Sequence, residues 1–298
     1  MFRTQAFEAF VAPAKDYPQI WRLLLGVLVS ALVYIVPILL IFVLAGIFLP
    51  ERVFEFQMAL TEASTPSAMF ILLSTFFFMG LAAVAAAGIH RRGLASLIGP
   101  FRPACRNFSR AIIVCALVYP AIGWLSSFAI PDEPTQNMAF NRWLSLLPYA
   151  LPLLLIQVGA EELLFRGYLM QALAARFRSA LIWFILPAIL FGAMHYNPEI
   201  DPILAVATIG ATTVFGVAAA DLTRVTGNLG AAIGFHLANN FFALFVVAIA
   251  GELSGLALYH SAYTLDDVDA LLPLTGVSII IIAVVWWWLR RWLTPDPV

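Results

Sequence analysis

Long runs of apolar residues, separated by short polar connections, make up most of the chain. A helix needs about 20 such residues to cross the ~30 Å hydrocarbon core of a bilayer. The runs cover residues 22–48, 67–89, 110–130, 144–168, 179–195, 202–222, 229–250 and 272–292. This pattern predicts an all-α, multi-pass membrane protein of about eight transmembrane helices, of which the fifth is the shortest. Because no repeat or linker divides the chain, we expect residues 1–298 to form a single integral membrane domain.

The first 20 residues have a different pattern from the rest. Three phenylalanines alternate with charged residues, and two prolines follow before the first long apolar run. This alternation is typical of a segment that lies in the membrane interface. A disordered tail would have the same composition, so residues 1–20 are predicted to be either interfacial or disordered.

The composition excludes a soluble protein and gives no sign of a nucleic-acid partner. The chain is 62% hydrophobic and only 11% charged, and its mean hydropathy of +0.94 lies far above that of soluble domains. The net charge is −1, so there is no basic excess to bind phosphates. We expect the two cysteines, Cys105 and Cys115, to be free thiols.

The placement of the cationic residues predicts the orientation of the chain. Of the 16 lysines and arginines, all except Arg52 and Arg142 fall on one side of the membrane, or in the spans next to it, when the helices are threaded in order. Positive charge concentrates in cytoplasmic connections. We therefore expect both termini in the cytoplasm.

Three ionisable residues, Glu161, Glu162 and Arg166, interrupt the fourth apolar run. A charged side chain near the bilayer centre costs roughly 2.5–3.5 kcal/mol on insertion scales, so such residues need partners or a water-filled cavity. Glu162 and Arg166 are four residues apart and lie on one helix face, which favours an ion pair. Glu161 is left without that partner.

Three further polar residues interrupt later runs: His195 in the fifth, and His236 with Asn240 in the seventh. If the fourth and fifth helices form a hairpin that turns near Arg178, then Glu161 and His195 are each seventeen residues from the turn and lie side by side. His236 and Asn240 share one helix face at a similar depth. The sequence thus predicts a polar site between helices 4, 5 and 7.

These residue types favour hydrolysis. A carboxylate shielded from bulk water can act as general base on a water molecule, and a histidine can hold that water. A second histidine and an amide can donate hydrogen bonds to a developing oxyanion. The same set, Glu161, His195 and His236, could instead hold a zinc ion with an open coordination position. Residue types alone do not separate these two chemistries.

The motifs resemble those of a known family, the intramembrane proteases grouped as CAAX prenyl proteases and bacteriocin-processing enzymes, also called the abortive-infection family. Its Glu-Glu-x-x-x-Arg motif stands at 161–166, its Phe-x-x-x-His motif at 191–195 and its His-x-x-x-Asn motif at 236–240. The resemblance covers about residues 144–250, which would be the catalytic core. It implies an endopeptidase with Glu161 as the base that activates water, His195 as its partner, and His236 with Asn240 as the oxyanion site. Glu162 and Arg166 would then be the structural pair, and no cofactor is implied with certainty.

Two other functions remain open from the sequence. The chain could be a non-catalytic membrane scaffold or bacteriocin-immunity protein with the same fold, or a proton-coupled transporter. The transporter is disfavoured because the two halves of the chain show no paired broken helices. The expected partner is a membrane-associated or lipidated peptide or protein, and the short connections favour a bacterial inner-membrane protein.

Overall fold

The computed structural model describes residues 2–126 and 133–293. Most of these residues are helical. The helices are α1 (Gln5–Val11), α2 (Ile20–Phe48), α3 (Val53–Thr61), α4 (Pro66–Ile89), α5 (Leu94–Ile98), α6 (Phe101–Ser126), α7 (Phe140–Glu162), α8 (Gln171–Arg176), α9 (Leu186–Ala193), α10 (Pro202–Thr226), α11 (Gly230–Phe241) and α12 (Val268–Leu293). The end of the third predicted run, residues 127–130, lies outside the described residues.

Six of the helical segments described are long and apolar enough to cross a membrane. They are Ile20–Phe48, Pro66–Ile89, Phe101–Leu125, Phe140–Arg176, Pro202–Thr226 and Val268–Leu293. The expectation of eight transmembrane helices is therefore corrected to six spans, although a helix forms in each of the eight runs. The helices Leu181–Ala193 and Gly230–Val246 are shorter. The first of these is only about 20 Å long at 1.5 Å per residue, which is too short for a complete crossing.

The fourth predicted helix is longer than its apolar run. α7 continues through a π-helical segment, Leu163–Met170, into α8, so that one helical rod extends from Phe140 to Arg176. At 1.5 Å per residue this rod is about 55 Å long, well beyond the hydrocarbon thickness. The end that carries Arg176 therefore projects out of the bilayer.

The spans pack so that α11 and the carboxyl-terminal end of α7 lie inside the bundle. α4 lies between α2 and α7, α11 contacts both α6 and α7, and α10 contacts α9, α11 and α12. α2 buries only Leu23, Gly26 and Ser30, so most of its surface is left for lipid. Three two-residue strands, β1 (Thr135–Gln136), β2 (Val247–Ala248) and β3 (Tyr259–His260), join the loops at the end of the bundle opposite Arg176. β3 is the central strand, antiparallel to β1 and parallel to β2.

The amino-terminal segment is ordered and belongs to the core. Phe7 and Val11 of α1 are fully buried, and the Phe7 ring stacks on Trp183 with a centroid distance of 4.7 Å. Arg3 donates hydrogen bonds to the carbonyls of Ala174 and Phe177, at the projecting end of the long rod. Residues 2–20 thus pack against the bundle, and the interfacial or disordered character of residues 1–20 stays a prediction. The apolar side chains of this segment pack against distant parts of the chain, and the local sequence pattern did not predict this contact.

Candidate active site

The long rod carries the charged residues of the site. Glu162 ends α7, and Arg166 follows one turn later in the π-helical segment. An Arg166 Nη1 donor lies 2.8 Å from Glu162 Oε1, and both side chains are almost fully buried. The other Arg166 amino group donates to the carbonyl of Gly216 on α10. Arg166 thereby joins the rod to a neighbouring span.

His236 of α11 lies between the two glutamates. Its Nδ1 is 2.9 Å from Glu162 Oε1, and its Nε2 is 3.4 Å from Glu161 Oε2. Because the paired Glu162 carboxylate can only accept, Nδ1 carries a proton and Nε2 faces Glu161. His236 thus contacts both carboxylates, and all three side chains are buried.

Gln157 connects Glu161 to Asn240. Its amide nitrogen donates to Glu161 Oε1 at 2.8 Å, and its amide oxygen accepts from Asn240 Nδ2 at 3.1 Å. The sequence analysis missed this residue. The signal was available, since Gln157 is a polar residue in an apolar run and precedes Glu161 by four positions, on the same helix face.

His195 does not reach this cluster. α9 ends at Ala193, and His195 lies exposed in the turn that follows, with its Nδ1 2.9 Å from the carbonyl of Phe191. Within the described ranges, no hydrogen bond or ion pair joins it to Glu161. The equal-rise hairpin placed these two residues side by side, whereas the short α9 leaves His195 beyond the helix end.

A metal site is not assembled by these residues. Nowhere in residues 2–126 and 133–293 do three His, Cys, Asp or Glu side chains converge to hold an ion. The zinc alternative requires Glu161, His195 and His236 as common ligands, and the outward position of His195 does not fit that requirement. We therefore derive no step through a metal.

Phe191 packs between the charged residues and His195. Its ring lies under the Arg166 guanidinium, 4.5 Å from the centroid, and 5.8 Å edge-on from the His236 ring. The centroid of the His195 ring lies 4.9 Å from the centroid of the Phe191 ring. One aromatic ring thus separates the outer histidine from the inner one.

Two asparagines beside the motifs also have partners. Asn239 accepts a hydrogen bond from the Tyr119 hydroxyl at 2.8 Å and donates to Asn240 at 3.3 Å, which supports the Asn240 amide from behind. Asn197 donates to Glu252 at 2.9 Å. Burial raises the pKa of Glu252, and this hydrogen bond opposes that rise. Asn197 therefore faces a loop and not the Glu161 cluster.

Irregular helical segments adjoin all three motifs. π-helical turns begin directly after Glu162, lie at Leu181–Ile185 before Phe191, and cover Phe242–Val246 directly after the third motif. π-helical turns widen a helix locally and occur frequently at functional sites. The backbone conformation therefore also indicates a functional site near the three motifs, independently of the residue types.

Two carboxylate oxygens of the site have no hydrogen-bond partner. Glu161 Oε2 is buried and has no hydrogen-bond partner. Glu162 Oε2 is free as well, but the charge of Glu162 is already matched by Arg166. Glu161 is therefore the acidic group in this cluster that can still accept a proton from another molecule.

Comparison with known proteins agrees with the region of the motifs. A family model described as type II CAAX prenyl endopeptidase, Rce1-like, matches residues 143–242. The chain is similar to the uncharacterized protein YyaK of Bacillus subtilis (strain 168), with 28% identity over 256 residues that cover 83% of this chain and 85% of that protein. No solved structure matches the chain significantly. Residues 143–242 are thus a domain of the Rce1-like type II CAAX prenyl endopeptidase family, set within a multi-pass membrane protein.

Proposed function

We propose that this chain is an intramembrane endopeptidase that hydrolyses a peptide bond of a membrane-associated or lipid-bearing protein. The observation that carries the proposal is the free oxygen of Glu161, buried 3.4 Å from His236 Nε2 in a family domain of endopeptidases. A general base needs an oxygen within hydrogen-bond reach of the water that it deprotonates. We expect the protein in a bacterial inner membrane with both termini in the cytoplasm.

The proposed reaction uses water as the nucleophile. Glu161 takes one proton from water while the water oxygen attacks the scissile carbonyl carbon. His236 Nε2–H and the Asn240 amide donate to the oxyanion that forms. The tetrahedral intermediate then collapses, the C–N bond breaks, and Glu161 returns the proton to the leaving amine.

The remaining residues position these groups. Gln157 holds Glu161 and Asn240 in one orientation, and Glu162 holds His236 through its Nδ1 proton. Asn240 has a second amide hydrogen that Gln157 does not use, so it can donate to substrate without losing this support. We assign His195 as the partner of Glu161 in holding the water, which requires the turn after α9 to move inward when substrate binds.

The decisive experiment compares wild type with Glu161→Gln at equal abundance. The purified chains are incubated with a prenylated CAAX peptide and with the same peptide lacking the lipid, and cleavage is followed by mass spectrometry. In parallel, new termini of membrane proteins are mapped in cells that carry each variant. We expect cleavage products only with wild type. Absence of wild-type-specific products in both assays would contradict the proposal.

One observation favours the alternative of a non-catalytic scaffold. The polar cluster is closed, and His195 stands apart from it. A scaffold would keep this cluster only for folding, so its cellular phenotype would be rescued by Glu161→Gln. Rescue together with identical protein termini would favour the scaffold over the peptidase.

A further inference from the structure

An open groove runs between α6 and α12 on the lipid-facing side of the bundle, away from the Glu161 cluster. Its volume is about 420 Å³, and its lining residues are Ile113, Val114, Leu117, Trp288, Arg291 and Trp292. α6 begins and α12 ends at the same end of the bundle, where the Arg110 guanidinium lies 5.3 Å from the Trp292 ring centroid. The groove therefore descends from a membrane interface into the hydrocarbon.

The walls of the groove are apolar and accessible. Ile113 is 51% exposed, Leu117 58% and Trp288 42%. In a bilayer such a surface is covered by acyl chains, and tryptophan rings mark the level of the headgroups. One end of the groove thus suits a lipid tail and the other a lipid headgroup.

The headgroup end carries two arginines that have no acidic partner within residues 2–126 and 133–293. Arg110 and Arg291 are held over the Trp292 and Trp287 rings, and none of the ion pairs among the described residues includes either of them. Their neighbour Arg290 differs, since its Nη1 lies 3.1 Å from Asp221 Oδ2. The two arginines at the groove are therefore uncompensated, and an anion at this level would be attracted to both.

We propose that this groove binds one anionic phospholipid, with its phosphate at Arg110 and Arg291 and an acyl chain along Ile113 and Leu117. Charge complementarity selects the headgroup. A zwitterionic lipid would bring its own cation next to two arginines that have no carboxylate, whereas an anionic lipid brings a net negative charge. The occupant is a lipid of the membrane itself and does not depend on the proposed peptidase activity.

The test measures lipid retention by the full-length chain. The protein is loaded in detergent with phosphatidylglycerol or with phosphatidylcholine of the same acyl chains, washed equally, and examined by native mass spectrometry. We expect one phosphatidylglycerol to be retained in preference to phosphatidylcholine. Arg110→Gln and Arg291→Gln should each weaken its retention about fivefold. The matched control Arg178→Gln removes an exposed arginine outside the groove and should retain the lipid as wild type does.

A second variant keeps every charge and fills the groove. Leu117→Trp should lower phosphatidylglycerol retention by occupying the path of the acyl chain, and it decides the question if an arginine variant does not fold. Three results would overturn the proposal: equal retention of both lipids by wild type, unchanged preference in the arginine variants, or unchanged retention in Leu117→Trp. A dimer mass in place of bound lipid would assign the groove to a second copy of the chain and would also overturn it.

Discussion

At the scale of single residues, Glu162 is held by two partners at once. It is fully buried, and its Oε1 accepts from both Arg166 and His236. Removing one member of a buried charge pair leaves the other uncompensated, which costs far more than the pair itself contributes. Glu161, by comparison, accepts one hydrogen bond, from Gln157, and its Oε2 lies 3.4 Å from His236 Nε2 without a hydrogen bond. The two adjacent glutamates should therefore respond differently to mutation.

Arg166→Ala should destabilise the protein by about 3–5 kcal/mol, because it strands the buried Glu162 carboxylate. Glu161→Gln should unfold close to the wild-type temperature, since glutamine can keep the contact with Gln157. Thermal unfolding in one detergent measures both, with Arg178→Ala as an exposed control. A stable Arg166→Ala protein together with an unfolded Glu161→Gln protein would reverse the roles of the two glutamates.

Gln157→Ala should lower kcat about tenfold with little change in KM, because it removes one hydrogen bond to the Glu161 carboxylate and one to the Asn240 amide. Asn240→Ala should lower turnover by about 10²–10³, the usual loss for an oxyanion donor. If Gln157 acts through Asn240, the double variant should be less impaired than the two single effects predict. Ile156→Ala, which alters the adjacent position on another face of α7, is the control. Full additivity would make Gln157 a local packing residue only.

At the scale of elements, the position of α11 is set by small residues that face α6. A Cβ on Gly230 would overlap the backbone carbonyl of Ala104, and one on Gly234 would lie 2.6 Å from the carbonyl of Phe108. Two glycines four residues apart allow helices to approach closely. Because α11 also carries His236 and Asn240, this approach determines where the histidine meets the glutamates.

Gly230→Ala should cost about 1–3 kcal/mol through overpacking and should lower activity by moving α11 away from the rod. The matched control is Gly210→Ala on α10, where an added Cβ meets no atom within 4 Å. That control should be neutral or stabilising, since alanine favours a helix over glycine by roughly 1 kcal/mol. Unfolding temperature and peptide cleavage are measured for both. Equal behaviour of the two variants would show that the α6–α11 contact tolerates expansion.

At the scale of the whole molecule, the long rod is fastened at its projecting end. In the amino-terminal segment, Phe7 packs on Trp183. Arg3 donates hydrogen bonds to two backbone carbonyls at this end of the rod. On the same side, Asp221 joins α10 to α12 through Arg290 and the Trp286 indole, and it also pairs with Arg224 on α10 itself. These contacts lie at the end of the bundle that is rich in arginine. The predicted orientation puts that end in the cytoplasm.

The two cysteines offer a direct test of this orientation. Cys105 is exposed near the start of α6, whereas Cys115 is buried about 15 Å further along the same helix. A membrane-impermeant maleimide should label the protein in inverted membrane vesicles and not in intact cells. Cys105→Ser should abolish the labelling, because only the buried thiol remains. Labelling in intact cells would place the arginine-rich end outside and overturn the positive-inside assignment.

The sequence by itself determined the class of the protein and predicted most residues of the polar cluster. Apolar runs of transmembrane length indicate that a segment folds in lipid. A charged residue within such a run is energetically costly, so its presence indicates a structural or functional role. Four-residue spacing also predicted the pairing of Glu162 with Arg166, which is present in the structure. The roles of Glu161, His195, His236 and Asn240 stay predictions.

Only the tertiary structure decided which of these groups meet. An apolar run has no sharp end, so it did not reveal that α9 stops at Ala193 or that the rod continues to Arg176. Those lengths leave His195 outside the cluster. Contacts across helices, such as His236 between two glutamates or Gln157 with Asn240, depend on helix rotation and on small residues that set the approach. Such contacts join residues distant in the chain, and no local pattern encodes them.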